Sequence, residues 1–124
     1  MDSQSIKNGK LADDPEEFIL LTHANMFEII DKRKSYSGDV MDFDELAEEI
    51  MNHKKYNINI PIRILGCDAG RKTKDGIPNA AKSLADAIKR NGGENDVIAS
   101  PEKTYATTPD IYKKQFKWWR FKGQ

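Results

Sequence analysis

The sequence predicts an α/β fold in which a mainly parallel sheet is flanked by helices. Three observations carry that expectation. Short continuous apolar runs occur at Phe18–Leu21, Ile62–Gly66 and Val97–Ala99; capped amphipathic segments lie between them, near Phe43–Lys54 and Ala80–Arg90; and charged, proline or glycine punctuation marks each change of pattern. The order strand, helix, strand, helix, strand implies right-handed crossovers that bring the strands into one sheet with a common direction.

Residues 1–16 are polar, mixed in charge and aperiodic, and read as a loose, flexible leader ahead of a single domain over 17–124. Phe18-Ile19-Leu20-Leu21 is too short for a helix and continuous rather than alternating, which suits a strand covered on both faces, with His23 just past its carboxyl end. Met26–Asp31 fits a turn and a further strand, and Lys32–Gly38 a charged loop closed by glycine. From Asp42 the pattern becomes helical: Phe43, Leu46, Ala47, Ile50 and Met51 fall on one face, and Asp42 with Glu45 makes an N-cap and its capping-box partner. Pro61 opens the second run, Ile62-Arg63-Ile64-Leu65-Gly66-Cys67, which gives way to a loop rich in Asp, Gly, Lys and Arg. Asn79 caps the second helix, Leu84 and Ile88 mark its apolar face, and Asn91-Gly92-Gly93 ends it. Val97-Ile98-Ala99 supplies the third strand. The tail from Phe116 to Lys122 mixes aromatic and basic side chains. An edge strand with aromatics on the core and cations in water accounts for it better than base stacking does. At least one of Trp118 and Trp119 is expected to pack on the body, since two adjacent exposed indoles would form a large apolar patch.

Composition narrows the function. The 124 residues suffice for one core, and with 38% hydrophobic and 32% charged residues the chain is too polar for a membrane protein and too apolar for a disordered one. Twenty basic and twenty acidic side chains cancel, which argues against a dedicated nucleic-acid binder. A lone cysteine forms no internal disulfide, so the fold rests on packing. No apolar run approaches the length of a transmembrane helix and the first residues do not read as a signal peptide, so the expected location is cytoplasmic unless the chain is part of something larger. Two His and one Cys without paired spacing make no metal-ligand set, and no metal or cofactor is expected.

In a parallel sheet the carboxyl ends of the strands share one edge, and open α/β folds build their ligand sites there. His23 and Cys67 both belong to that edge. A thiol needs a base or a positive environment to ionise near neutral pH, and an imidazole one or two strands away supplies it. Blander roles stay open: Cys67 as a small buried hydrophobe, and His23 as a turn cap. His53, beside Lys54 and Lys55, reads as a solvated side chain. Two further classes of function compete, namely nucleic-acid cleavage with His23 as base and Arg71, Lys72 and Lys74 on phosphate, and non-enzymatic binding through a sheet edge or the aromatic tail.

The succession Phe18-Ile19-Leu20-Leu21-Thr22-His23, an amphipathic helix, Ile62 to Gly70, an alanine-rich helix at Ala80–Ile88, Val97-Ile98-Ala99-Ser100-Pro101 and a closing Trp119-Arg120-Phe121 resembles a family of C-terminal toxin domains. These belong to bacterial polymorphic toxins of the Rhs and contact-dependent inhibition kinds, and their layout is similar to that of caspase-like, clan CD cysteine peptidases. The resemblance spans Glu17–Gly123. It implies a three-layer, caspase-like α/β/α fold and a cysteine-dependent, peptidase-like hydrolase. It also implies that the domain ends a secreted or cell-surface toxin, acts on a protein substrate in the target-cell cytoplasm, and has a cognate immunity protein as partner. In that pattern one strand ends in His-Gly and the next in Cys, so His23 would be the base and Cys67 the nucleophile, with Ala24, Gly66, Asp68 and Ser100 along the substrate. Ala24 departs from the pattern's glycine, which weakens an oxyanion-hole role for its amide; the amide of Cys67 is the other candidate donor.

Overall fold

The structure is a computed structural model that describes residues 12–31, 38–74, 76–105 and 107–124. Most of the leader and of the Lys32–Gly38 loop lie outside the described residues. In chain order the elements are β1 (Phe18–Leu21), β2 (His23–Ala24), β3 (Ile29–Asp31), β4 (Asp39–Val40), α1 (Phe43–Met51), β5 (Ile62–Leu65), α2 (Ala80–Arg90), β6 (Val97–Ala99), α3 (Pro109–Gln115) and β7 (Trp119–Phe121). The main sheet has the order β1-β5-β6-β7; β1, β5 and β6 run parallel, and β7 pairs antiparallel with β6. The fold is α/β with a mixed, mostly parallel sheet flanked by three helices.

Local chemistry accounts for the elements that the sequence announces. Asp42 accepts from Glu45 N to start α1, and Asn79 accepts from Lys82 N to start α2, each cap satisfying an N–H that the helix leaves open. α1 ends at Met51, earlier than Lys54: Met51 is its last apolar face residue, Asn52 caps it with its N–H donating to Glu48 O, and His53 N closes a tighter turn onto Ile50 O. Two features lie beyond the sequence reading. α3 is a seven-residue helix, too short for a periodic signal, and β2, β3 and β4 form a second, three-stranded antiparallel sheet. Its β3 falls within the stretch expected to hold a further strand.

β1, β5 and β6 are covered on both faces, which is why their apolar runs are continuous. Phe18, Leu20, Ile62, Ile64, Val97 and Ala99 face α1 and α2 in the larger core, with Leu46, Ile50, Leu84 and Ile88 contributed by the helices. Ile19 and Leu65 face the other way, against Tyr112 and Phe116 of the α3 segment, with Leu21 and Trp118 packed alongside. Each fully buried Leu or Ile contributes about 1.5–3 kcal/mol to the burial that holds these layers. Trp118 is half-buried, its Nε1–H donating to Tyr112 O at 2.8 Å, whereas Trp119 stays 46% exposed. One indole packs and its neighbour, the first residue of β7, does not. Residues 12–16, the end of the expected leader, dock on the same face: Ala12 is buried, its carbonyl accepts from the Tyr112 hydroxyl, and Lys113 pairs with Asp14.

Arg63 sits within this second face and is 7% exposed. Its guanidinium donates twice to Glu17, from Nε and Nη2, at 2.9 Å each, and stands 4.5 Å from the Trp118 ring centroid and 5.6 Å from that of Tyr112. A charge inside a strand is tolerated there because a carboxylate and two aromatic faces meet it.

Candidate active site

Three connections leave the carboxyl ends of β1, β5 and β6 along one edge: Thr22-His23-Ala24, Gly66–Gly70 and Ser100–Thr104. At the first, the chain passes from the main sheet into the small one. Thr22 N still donates to Leu65 O at 3.1 Å, while the Thr22 hydroxyl donates to Ile30 O, also at 3.1 Å. His23 follows, exposed, with its backbone paired to Ile30.

The register of β1 on β5 brings the two candidate residues into correspondence. Leu21 lies opposite Leu65, and the Thr22 N bond to Leu65 O carries that correspondence one residue further; His23 and Cys67 each come two residues after the Leu21–Leu65 pair. The chains stay close that far: a Cβ on Gly66 would lie 3.0 Å from Thr22 O and 3.1 Å from the Ala24 Cβ, an approach that only glycine allows without displacing a neighbour. That same Cβ would lie 3.4 Å from Ile64 Cγ2, so the alternation of β5 persists through Gly66. Cys67 is a free, half-buried thiol, and no hydrogen bond joins it to His23 among the described residues.

The turn after Cys67 is sharp and tightly held. Asp68 has φ of 59°, the one left-handed non-glycine among the described residues, and Asp tolerates that region better than most side chains. Arg71 N donates to Asp68 O at 3.0 Å, and the Arg71 guanidinium is 3.8 Å from the Asp68 carboxylate. The third connection grips this turn from the side: Asp68 N donates to Glu102 O at 3.1 Å, Gly70 N to Ser100 O at 2.9 Å, and the buried Thr104 hydroxyl to Gly66 O at 3.0 Å. By contrast, the N–H of Cys67 has no acceptor among the described residues. In the small sheet Asn25 N donates to Glu28 O. Because bonded and non-bonded pairs alternate along an antiparallel ladder, the Ala24 N–H then turns out of the hairpin.

His23, Ala24, Gly66, Cys67 and Asp68 therefore gather along one edge. Ser100 lies beneath it, fully buried, with its Oγ accepting from Glu102 N at 3.2 Å, so its hydroxyl holds the turn after β6. Arg71, Lys72 and Lys74 are exposed on the loop that runs to α2. His53 is not the solvated side chain expected from its basic neighbours: it is half-buried, edge-on to the Phe18 ring with centroids 5.3 Å apart, and its Nδ1 accepts from Lys55 N. A groove of about 360 Å³ opens elsewhere, between the loop before α2 and β7, lined by Ile77, Asn79, Lys82 and Phe121; neither His23 nor Cys67 lines it. Among the described residues no group of three or more His, Cys, Asp and Glu could hold a metal ion, and no helix is long and apolar enough to cross a membrane. Glu102 and Thr104 had no signal in the sequence, because the groups they hold are remote along the chain.

The family described as Domain of unknown function (DUF8616) matches residues 2–114. The chain belongs to that family. The DUF8616 match takes in β1 to β6 and nearly all of α3, so the whole edge carrying His23 and Cys67 lies inside it and β7 lies beyond it. Comparison with curated proteins and with solved structures found no match.

Proposed function

We propose that this DUF8616 chain is a cysteine-dependent, peptidase-like hydrolase of caspase-like layout, with Cys67 as nucleophile and His23 as base. In this reading it is the toxin domain of a polymorphic toxin. Its substrate is a protein in the cytoplasm of the target cell, and its partner is a cognate immunity protein. The observation that supports this best is the topology: His23 and Cys67 follow the carboxyl ends of neighbouring parallel strands, each two residues past the Leu21–Leu65 pair, on the edge where α/β folds bind ligands.

The chemistry follows from the groups at that edge. Cys67 passes its proton to the His23 imidazole, and the thiolate attacks a carbonyl carbon. Negative charge then gathers on the carbonyl oxygen, where the Cys67 N–H, which has no acceptor among the described residues, can donate to it. The Ala24 N–H is the second donor. The Ala24 methyl is directed at Gly66, so it need not obstruct the substrate as a side chain replacing glycine otherwise would. His23 returns its proton to the leaving amine, then draws one from water, whose attack on the thioester frees the acid and restores the thiol.

The test measures iodoacetamide alkylation of Cys67 against pH. An activated thiolate reacts below the range expected for an ordinary cysteine of pKa about 8.5, and His23→Ala slows it with the fold intact. Cys67→Ala and His23→Ala should each abolish growth inhibition on expression in bacterial cytoplasm, and the double variant should be no worse than either. A folded Cys67→Ala variant with full toxicity overturns the reading. If that toxicity were lost instead in Arg71→Ala, Lys72→Ala and Lys74→Ala, with strong salt dependence, the nucleic-acid reading would replace it.

A further inference from the structure

We propose that Thr104 is a positioning residue that aims the Cys67 N–H at the developing oxyanion, an inference that rests on Cys67 being the nucleophile. The argument turns on one peptide unit. The carbonyl of Gly66 and the N–H of Cys67 belong to the same planar, trans peptide group, so they point in opposite directions and turn together. β5 is a central strand, with β1 on one side and β6 on the other. β6 ends at Ala99, so past that point it has no ladder N–H to offer the β5 carbonyls.

The Thr104 hydroxyl takes that place, donating to Gly66 O at 3.0 Å from a residue only 8% exposed. Thr104 thus pins the carbonyl end of the unit on the β6 side and directs the Cys67 N–H toward the β1 side. There a continued parallel ladder would have the Cys67 N–H donate to Thr22 O, and this bond is not made. Without the pin the unit is free to rotate about its flanking bonds, and the Cys67 N–H no longer keeps that direction. No substitute is at hand, since the next amide, Asp68 N, already donates to Glu102 O at 3.1 Å. Thr104 touches no substrate. Its effect passes through the peptide to the oxyanion.

The test separates two reactions of the same thiol. p-Nitrophenyl acetate acetylates Cys67: the C–S bond forms as the carbonyl oxygen takes up negative charge, and the tetrahedral species collapses with loss of p-nitrophenolate. Iodoacetamide is displaced at a saturated carbon, with iodide leaving, and develops no oxyanion. Removing one oxyanion donor costs about 10²–10³ in rate, so misaiming it in Thr104→Val should slow p-nitrophenolate release about tenfold or more. The rate and pH profile of alkylation should stay unchanged, and Thr104→Ser, which keeps the hydroxyl, should restore acetylation. In the wild-type protein the Cys67 amide should exchange with solvent rapidly.

Cys67-dependent release at the wild-type rate in Thr104→Val overturns the inference alone. So does a proportional fall in acetylation and alkylation, which would mean a structural role. If Thr104→Val does not fold, the exchange measurement decides, and a strongly protected Cys67 amide overturns the inference. Release unchanged in Cys67→Ala overturns the nucleophile reading and this inference with it.

Discussion

Replacing Glu17 with Gln removes the negative partner of a guanidinium that has nowhere else to go. The side chains of Arg63 and Glu17 are each 8% exposed and meet through two bonds of 2.9 Å; Lys113 lies 3.5 Å from the same carboxylate. Breaking a buried pair from one side costs about 3–5 kcal/mol, because the remaining charge is uncompensated. Two features pull the value toward the lower end. The Trp118 and Tyr112 rings continue to face the guanidinium, and the Gln amide oxygen can still accept one bond. About 3 kcal/mol is therefore expected. At about 2.1 cal/mol/K per residue the unfolding entropy of this chain is near 260 cal/mol/K, so the melting temperature should fall by about 11 °C. Thermal and urea unfolding followed by circular dichroism and tryptophan fluorescence measures this directly. The double variant Glu17→Met with Arg63→Met removes both charges and should recover to within about 1 kcal/mol of wild type. A loss under about 1 kcal/mol in Glu17→Gln, or a double variant as unstable as the two single losses added, would refute the account of Arg63 as a charge held by its partner.

A Cβ on Gly70 would stand 2.8 Å from Ala99 O and 2.9 Å from Ala99 C, backbone atoms that cannot swing aside, so Gly70→Ala should lower stability by about 1–3 kcal/mol in urea titration. Asp68 holds φ of 59°, so Asp68→Val should cost about 1–2 kcal/mol while Asp68→Gly stays within about 0.5 kcal/mol of wild type; equal effects would mean the left-handed backbone is unimportant. Partial burial works to raise the Asp14 carboxyl, but the bonds it accepts from Lys113 and from Glu16 N outweigh this and hold it below its ordinary 3.8, while the bond to Asp14 holds Lys113 above 10.5. A lowered acid stabilises above its unfolded value and loses that contribution as pH falls through the folded one; a raised base stabilises below its unfolded value and loses it as pH rises. The melting-temperature gap between wild type and Lys113→Met should therefore be widest between about pH 4 and pH 10 and close at both extremes. A gap that is flat with pH would show that the pair contributes nothing through charge.

What could be read along the chain was whatever is decided within a few residues. The caps at Asp42 and Asn79 bond to amides three positions away, and the runs at Phe18–Leu21, Ile62–Leu65 and Val97–Ala99 are apolar enough to demand burial on both faces wherever they are put. Elements too short to show a period escaped: α3 displays its apolar face only through Tyr112 and Phe116, and β2 and β4 are two residues each. That His23 and Cys67 follow strands of one sheet edge was legible from the strand ends, but the register of β1 on β5 was not. Only the joint burial of Phe18, Leu20, Ile62 and Ile64 against α1 and α2 decides which residue of β1 meets which of β5. The partners that make the edge and the second face work are likewise remote: Glu17 lies 46 residues from Arg63, and Thr104 lies 38 residues from Gly66. A hydroxyl or carboxylate in a sequence carries no mark of which distant carbonyl or cation it will meet; that is settled when the layers close and each buried polar group must find a partner within reach.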